Sequence, residues 1–270
     1  MTIFQAIILG LLQGATEFIP VSSSGHLVVV PWLLGWGTPG LTYSAVVHLA
    51  TLLAVLVYFW NDLWRLFLGW LRSVRLRRID TTEGRIAWLI LLSVIPGASL
   101  GFFLEDFFET MFGAPRIVAI LLLLTGMWLV LGERLGRRMR STARLGWQDA
   151  VIIGVAQGLA IAPGISRSGA TISTGLLRGL TREEAARFSF LMVVPIIVGV
   201  GVLEIYKAYS VGIDGGQALT LVAGFVAAAA AGYMAIRFLL RHLQKGSLRP
   251  FAVYCWGIGI LTLVMTFIRG

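Results

Sequence analysis

Charge is the commodity in shortest supply in this chain. Only 13% of its 270 residues are Asp, Glu, Lys or Arg, about half the roughly 25% of an ordinary soluble domain. With 57% of the residues hydrophobic and a mean hydropathy of +0.86, a water-soluble globule is excluded. Cysteine is nearly missing as well. The single Cys255 leaves no internal disulfide and no Cys cluster for zinc. Acid is scarcer than base, 13 against 22, a formal charge of +9. In a soluble protein that excess would raise the question of nucleic acid. Here the arginines gather in short stretches between apolar runs, as they do on the cytoplasmic faces of membrane proteins. The N-terminus has no basic n-region and reads straight into Phe4–Leu12, so no cleavable signal peptide is expected.

What is abundant is apolar sequence of membrane-crossing length. Six segments qualify as spans, at about 41–60, 86–104, 115–132, 186–206, 217–237 and 250–268, since a crossing needs about 20 mostly apolar residues. The connections alternate in charge. Residues 61–85 hold Arg65, Arg72, Arg75, Arg77, Arg78 and Arg85, and residues 132–149 hold Arg134, Arg137, Arg138, Arg140 and Arg144. Residues 237–249 hold Arg237, Arg241, Lys245 and Arg249 with no acid. By contrast, 105–116 carries Glu105, Asp106 and Glu109 against Arg116, and 207–216 carries only Lys207 and Asp214. The positive-inside rule puts the first three connections in the cytoplasm and the last two outside, and all six crossings then alternate. Trp32, Trp36, Trp60, Trp64 and Trp70 fall near the expected interfaces, where aromatic belts are routine.

Residues 1–40 and 147–180 are apolar but broken by Gly, Pro and Ser, and make poor spans. At an offset of 144 they align with each other: Ala6 with Ala150, Gly10 with Gly154, Gln13 with Gln157, Gly14 with Gly158, Ser22 with Ser166, Ser24 with Ser168 and Gly25 with Gly169. Three spans follow each copy. An odd number starts the second copy on the opposite side, which predicts an inverted-topology repeat, residues 1–135 and 147–270, in one membrane domain. The fold class expected is therefore an all-α polytopic membrane protein, about six transmembrane helices plus two re-entrant helix–loop–helix elements. Irregular backbone at membrane depth is tolerated only where protein or a water-filled cavity receives its polar groups, so the two broken segments are expected to line a polar chamber.

The first broken segment contains Gln13, Glu17, Pro20, Ser22, Ser23, Ser24, Gly25 and His26; the second contains Pro163, Gly164, Ser166, Arg167, Ser168, Gly169 and Thr171. Ionisable groups at membrane depth are costly and invite a functional explanation; a bare Glu17–Arg167 pair would leave the serines and His26 unexplained. The second loop suits an anion. Arg167 offers a bidentate fork to a phosphoryl group, Ser166, Ser168 and Thr171 add hydroxyls, and Gly164 and Gly169 admit close backbone N–H groups. A helix starting near Ser168 would aim its positive end at the ligand. The first loop supplies reactive groups. His26 is a candidate general acid or base, and a serine is a candidate nucleophile activated by His26 or Glu17, although capping is the commonplace use of serines here. Gln13 and Glu17 share a helix face at i, i+4 and offer two oxygens to a hard divalent cation or a water. His48 in the first span is read as a packing residue and His242 as surface. Thr181 with Glu183 and Glu184 reads as a helix N-cap followed by a first turn.

At these residues the sequence resembles the undecaprenyl-diphosphate phosphatase family of bacterial inner-membrane enzymes. The motifs that carry the likeness are Gln13-xxx-Glu17, the Pro-Val-Ser-Ser-x-Gly-His run from Pro20 to His26, and the Pro-Gly-x-Ser-Arg-Ser-x-x-Thr loop from Pro163 to Thr171. The resemblance extends over essentially the whole chain. It implies hydrolysis of a C55 isoprenyl diphosphate to the monophosphate and inorganic phosphate, recycling the lipid carrier of cell-wall synthesis, with bacitracin resistance when the enzyme is abundant. It implies a divalent cation, Mg2+ or Ca2+, held by Gln13 and Glu17, and no organic cofactor. Partners implied are the lipid substrate, the bilayer and a second copy of the chain, but no nucleic acid; the location implied is the inner membrane, and the outward entry expected for the first broken segment favours a site opening to the periplasm. Carried over residue by residue, the core site is Glu17, Ser23, His26 and Arg167, with Ser22, Ser24, Gly25, Gly164, Ser166, Ser168 and Thr171 around the substrate. Gln13 stands where many relatives carry glutamate, which weakens a two-carboxylate metal site.

Two mechanisms remain open: attack by Ser23 with His26 as proton partner, or attack by metal-bound water with Ser23 as a ligand donor. A transporter or flippase is the rival class, since inverted repeats with broken helices serve transport too. A type-2 phosphatidate phosphatase is excluded, because no lysine precedes Lys207 and the Lys-x6-Arg-Pro element that class requires has no counterpart.

Overall fold

A computed structural model describes residues 1–211 and 215–269, with the side chains of residues 41, 105, 106, 109, 112 and 200–217 outside the description. The chain is an all-α polytopic membrane protein. The first broken segment forms α1 (Ile3–Phe18) and α2 (Ser23–Leu34) around a break at residues 19–22. Then come α3 (Leu41–Tyr58), α4 (Trp60–Leu76), α5 (Thr82–Phe103), α6 (Glu105–Phe112) and α7 (Pro115–Leu135). The second broken segment forms α8 (Trp147–Leu159) and α9 (Arg167–Leu177), followed by α10 (Arg182–Val211), α11 (Gly215–Lys245) and α12 (Arg249–Ile268).

Four of these helices, α5, α7, α11 and α12, are long and apolar enough to cross a membrane on their own. The expected span at 41–60 is α3, which meets that test only together with α4, after an 81° bend. The expected span at 186–206 lies in α10 and runs past residue 199, beyond which side chains are not described; Lys207 has no described side chain, and Asp214 lies outside the described residues altogether. Residues 61–85, expected as a basic loop, are largely the helix α4. Its exposed Trp60, Trp64, Phe67, Leu68, Leu71 and Val74 share one face, flanked by Arg65 and Arg72, the pattern of a helix lying along an interface rather than crossing it. Residues 237–249 are likewise mostly the basic end of α11.

Small residues set the packing, because bilayer lipid is as apolar as leucine and helices associate through close backbone approach. On α1, Gly10 and Gly14 lie against Gly224, Ala228 and Ala231 of α11; on α8, Gly154 lies against the backbone of Ser93 and Gly158 against Gly97 and Leu100 of α5. Gly126 and Gly259 serve the α7–α12 contact, where Trp256 Nε1 donates to the Leu123 carbonyl at 3.1 Å. Large apolar side chains such as Phe102, Phe103, Phe267 and Ile268 stay on the outside, as a lipid-facing surface requires.

Beyond α7 an ion-pair network ties the second broken segment to its neighbours. Asp149 caps α8 through the Gly146 N–H (2.9 Å) and takes Arg140 (2.9 Å) and Arg178 (2.6 Å). Glu133 pairs with Arg182 and with Arg138. Two arginines of the 132–149 stretch, Arg138 and Arg140, are therefore bonded inside the protein. Thr181 caps α10 through the Glu184 N–H, and Glu184 in turn accepts from Thr142. His242 is wedged between Phe238 and Phe251.

Candidate active site

The tips of the two broken segments meet. α1 buries one face, on which Ala6, Leu9, Gly10, Gln13, Gly14 and Glu17 recur at helical spacing, so Gln13 and Glu17 point the same way at its end. Gln13 Nε2 donates to Glu17 Oε2 at 3.0 Å. Ser23 Oγ, in the first turn of α2, donates to the same oxygen at 2.6 Å. From 150 residues away Arg167 Nη2 donates to Glu17 Oε1 at 3.1 Å. Glu17 is 7% exposed and the Arg167 side chain 17%. Two polar atoms in this cluster are buried without a partner, Gln13 Oε1 and Arg167 Nη1. A buried guanidinium nitrogen left unpaired is costly, and chemically it is a donor suited to an anionic oxygen.

The turn before α2 is held in an unusual conformation. Ser22 has φ 72° and ψ 97°, a region that non-glycine residues occupy only when their surroundings dictate it. Its Oγ accepts from the N–H groups of Gly25 and Gly164, both at 3.2 Å. Its carbonyl accepts from His26 Nδ1 at 2.7 Å and from the His26 backbone N–H at 3.2 Å. The second loop repeats this chemistry. Ser166 Oγ accepts from the Gly169 N–H at 3.0 Å and neighbours Ser168 Oγ at 3.2 Å, as Ser22 Oγ neighbours Ser24 Oγ at 3.4 Å. Gly164, at φ +107°, packs on Gly25 and on the backbone of Val118, leaving no room for a side chain.

These partners revise several expected roles. Ser22 and Ser166 are N-caps whose hydroxyls are committed to backbone N–H groups, so they shape the loops rather than face a ligand. Thr171 is buried, with its Oγ1 bonded to Ser189 (2.6 Å) and to the Arg167 carbonyl (2.8 Å); it anchors α9 to α10. Helix α9 starts at Arg167, one residue before the expected Ser168. His26, expected beside Ser23, turns the other way. Its Nδ1–H is held by Ser22, and its Nε2 meets Tyr254 Oη of α12 at 2.9 Å with the two rings stacked. The geometry thus brings together Gln13, Glu17, Ser23 and Arg167, with Ser24, Gly25, Gly164 and Ser168 in the adjoining turns.

Residues 6–261 match the family described as Bacitracin resistance protein BacA. The chain belongs to that family. It is also similar along its full length to proteins named undecaprenyl-diphosphatase: 43% identical to that of Thermomicrobium roseum and 43% to that of Desulforudis audaxviator, each covering 100% of both chains. The one from Moorella thermoacetica is 42% identical, again over 100% of both.

Two residues beside this BacA-family cluster escaped the sequence, and a third, His48, reads there as packing. Thr125 of α7 donates to the Gly164 carbonyl at 2.9 Å and accepts from the Ser166 N–H at 3.1 Å, clamping the second loop. Tyr254 engages His26. His48 of α3 places Nε2 3.9 Å from Glu17 Oε2. Thr125 and Tyr254 sit on apolar spans where one polar residue carries no motif. His48, expected as a packing residue of the first span, lies beside the cluster.

Proposed function

We propose that this protein hydrolyses undecaprenyl diphosphate to undecaprenyl phosphate and inorganic phosphate, the reaction that regenerates the lipid carrier of cell-wall synthesis and underlies bacitracin resistance. The observation that carries the site assignment is the buried cluster of Ser23, Glu17 and Arg167 with a guanidinium nitrogen free for an anion. In phosphoryl transfer, positioning and charge stabilisation supply most of the catalysis, and this cluster is built for both. Arg167, with the loop N–H groups and Ser168, holds the terminal phosphoryl group. Glu17 Oε2 takes the Ser23 proton as Oγ bonds to that phosphorus, and the bond to the bridging oxygen breaks, releasing the lipid monophosphate. Water then attacks the phosphoserine, and Ser23 recovers its proton as inorganic phosphate leaves. His26 keeps the Ser22 turn in shape through its Nδ1–H bond. Phosphate release by the purified protein from the C55 diphosphate, lost in Ser23→Ala, tests this mechanism; near-native turnover in that variant would return the attack to a water.

A divalent cation belongs to the same proposal. Among the described residues no group of three His, Cys, Asp or Glu side chains converges on one point. The unpartnered Gln13 Oε1 beside Glu17 does fit a hard ion, which favours oxygen donors and takes further ligands from a diphosphate. Gln13 and Glu17 would hold Mg2+ or Ca2+, and the ion would neutralise phosphate charge.

The orientation and repeat complete the proposal. The matched glycines Gly10/Gly154 and Gly14/Gly158 make the equivalent contacts, α1 on α11 and α8 on α5, which supports two inverted copies, 1–135 and 147–270. The arginine-rich stretches favour a cytoplasmic location for α4, 132–149 and 237–249, hence an inner-membrane enzyme whose site opens to the periplasm. A homodimer is the remaining expectation, checked by the mass of the detergent-solubilised particle.

A further inference from the structure

Two neighbouring helices grip the two loops that meet at Glu17. On α7, Thr125 holds the second loop through the Gly164 carbonyl and the Ser166 N–H. On α12, consecutive side chains hold both ends of the first. Cys255 Sγ–H donates to the Pro20 carbonyl at 3.8 Å, and Tyr254 Oη lies 2.9 Å from His26 Nε2. The next residue, Trp256, locks α12 to α7 through the Leu123 carbonyl. His26 is 1% exposed, and its two ring nitrogens have opposite partners. The Ser22 carbonyl, 2.7 Å from Nδ1, only accepts, so Nδ1 carries the proton and Nε2 is left as an acceptor. Tyr254 fills that acceptor: its O–H donates, and its ring stacks on the imidazole with 5.6 Å between centroids.

We infer that Tyr254 is a positioning residue for Ser23, acting through His26 and the Ser22 turn. The inference rests on the Ser23 mechanism above. A ring nitrogen that receives an O–H carries no proton of its own, so Tyr254 selects the tautomer that bonds to the Ser22 carbonyl. That carbonyl is half of the peptide unit joining Ser22 to Ser23. A peptide is planar, so fixing its oxygen fixes where Ser23 begins. Ser22 needs the support, because its φ of 72° and ψ of 97° persist only where the surroundings over-determine them. The same turn ties the two loops together, since Ser22 Oγ accepts from the Gly164 N–H at 3.2 Å. It also aims Ser23, whose Oγ reaches Glu17 Oε2 at 2.6 Å. The path from α12 to the attacking oxygen is then complete: Tyr254 O–H to His26 Nε2, His26 Nδ1–H to the Ser22 carbonyl, and the Ser22 peptide to Ser23. With both nitrogens committed, His26 supplies shape and transfers no proton.

The test is steady-state phosphate release from a C55 diphosphate by the full-length protein in detergent, with Mg2+ supplied. Tyr254→Phe keeps the ring and removes only the donor. It is expected to lower kcat by about 10- to 100-fold, the scale of a slightly misplaced reacting group, with KM changed less than about threefold and the melting temperature unchanged. His26→Asn keeps a donor for the Ser22 carbonyl but is too short to reach Tyr254. Adding Tyr254→Phe to it should therefore cost nothing further. Nitrogen NMR of histidine-labelled protein without substrate reads the tautomer, and His26→Asn assigns the signal. The proton is expected on Nδ1 in the wild type and shared between the nitrogens in Tyr254→Phe. A Tyr254→Phe kcat within about twofold of wild type, the full loss reappearing in the His26→Asn background, or a wild-type proton on Nε2 would overturn the inference. Ser23→Ala separates the two levels. If it retains turnover, the serine mechanism fails and this role with it; if it is inactive while Tyr254→Phe keeps full kcat, the positioning role alone fails.

Discussion

Ser23 Oγ and Glu17 Oε2 lie 2.6 Å apart across the break between α1 and α2. The contact joins a hydroxyl in a helix's first turn to a carboxylate at the end of the preceding helix, and the strained Ser22 turn holds the two ends together. Removing either side chain is expected to abolish turnover, by about 10³-fold or more if the serine is the nucleophile. Single-turnover trapping of phosphate on Ser23, absent in Ser23→Ala, is the measurement that checks it. A Glu17→Gln variant that binds substrate but forms no phosphoserine would assign the carboxylate to the proton step.

Arg167 divides its guanidinium between Glu17, through Nη2, and an unpartnered Nη1. Lysine cannot serve both at once. Arg167→Lys is expected to lower kcat/KM by about 100-fold, the scale of a lost charge-stabilising donor. Activity within a few-fold of wild type would mean that the fork is not used.

Gln13 offers a neutral oxygen where a carboxylate would bind a cation more tightly. Chelation is expected to suppress phosphate release and added Ca2+ or Mg2+ to restore it. Gln13→Glu is expected to lower the half-saturating cation concentration about tenfold. Cation titrations of the two proteins side by side decide it.

Gly154 has the Ser93 carbonyl where its Cβ would be. Gly154→Ala is expected to cost about 1–3 kcal/mol, as overpacking of a close contact does, and to lower the melting temperature in detergent. Gly37, which has nothing within 4 Å of a Cβ, is the control. Gly37→Ala should melt within a degree or two of the wild type.

Asp149 is buried, and burial alone would raise its carboxyl pKa. The Gly146 N–H, Arg178 and Arg140 outweigh that and hold it below the usual carboxylate value of 3.8. The stability it contributes is therefore complete above that value and is lost as pH falls through the still lower folded one. Asp149→Asn is expected to lower stability by about 2 kcal/mol at neutral pH, the scale of lost charge-assisted hydrogen bonds. It should also flatten the decline below pH 4 expected in thermal melts of the wild type.

Hydropathy and local spacing made the membrane class, most of the spans and the two loops that meet readable before any coordinates. Those properties are one-dimensional: apolar run length, an i, i+4 pair such as Gln13 and Glu17, and a loop chemistry repeated 144 residues later. The amphipathic period of α4 was equally present in the sequence but was masked by its arginines, which suggested a loop. Only the tertiary structure decided that Arg167 reaches Glu17, that Thr125 clamps the Gly164 loop, and which histidine faces the carboxylate. A histidine's partners depend on how its helix is rotated against its neighbours, and packing at glycines far along the chain sets that rotation. His26 thus carries the motif and points to Tyr254, while His48, read from the sequence as packing, points to the buried acid.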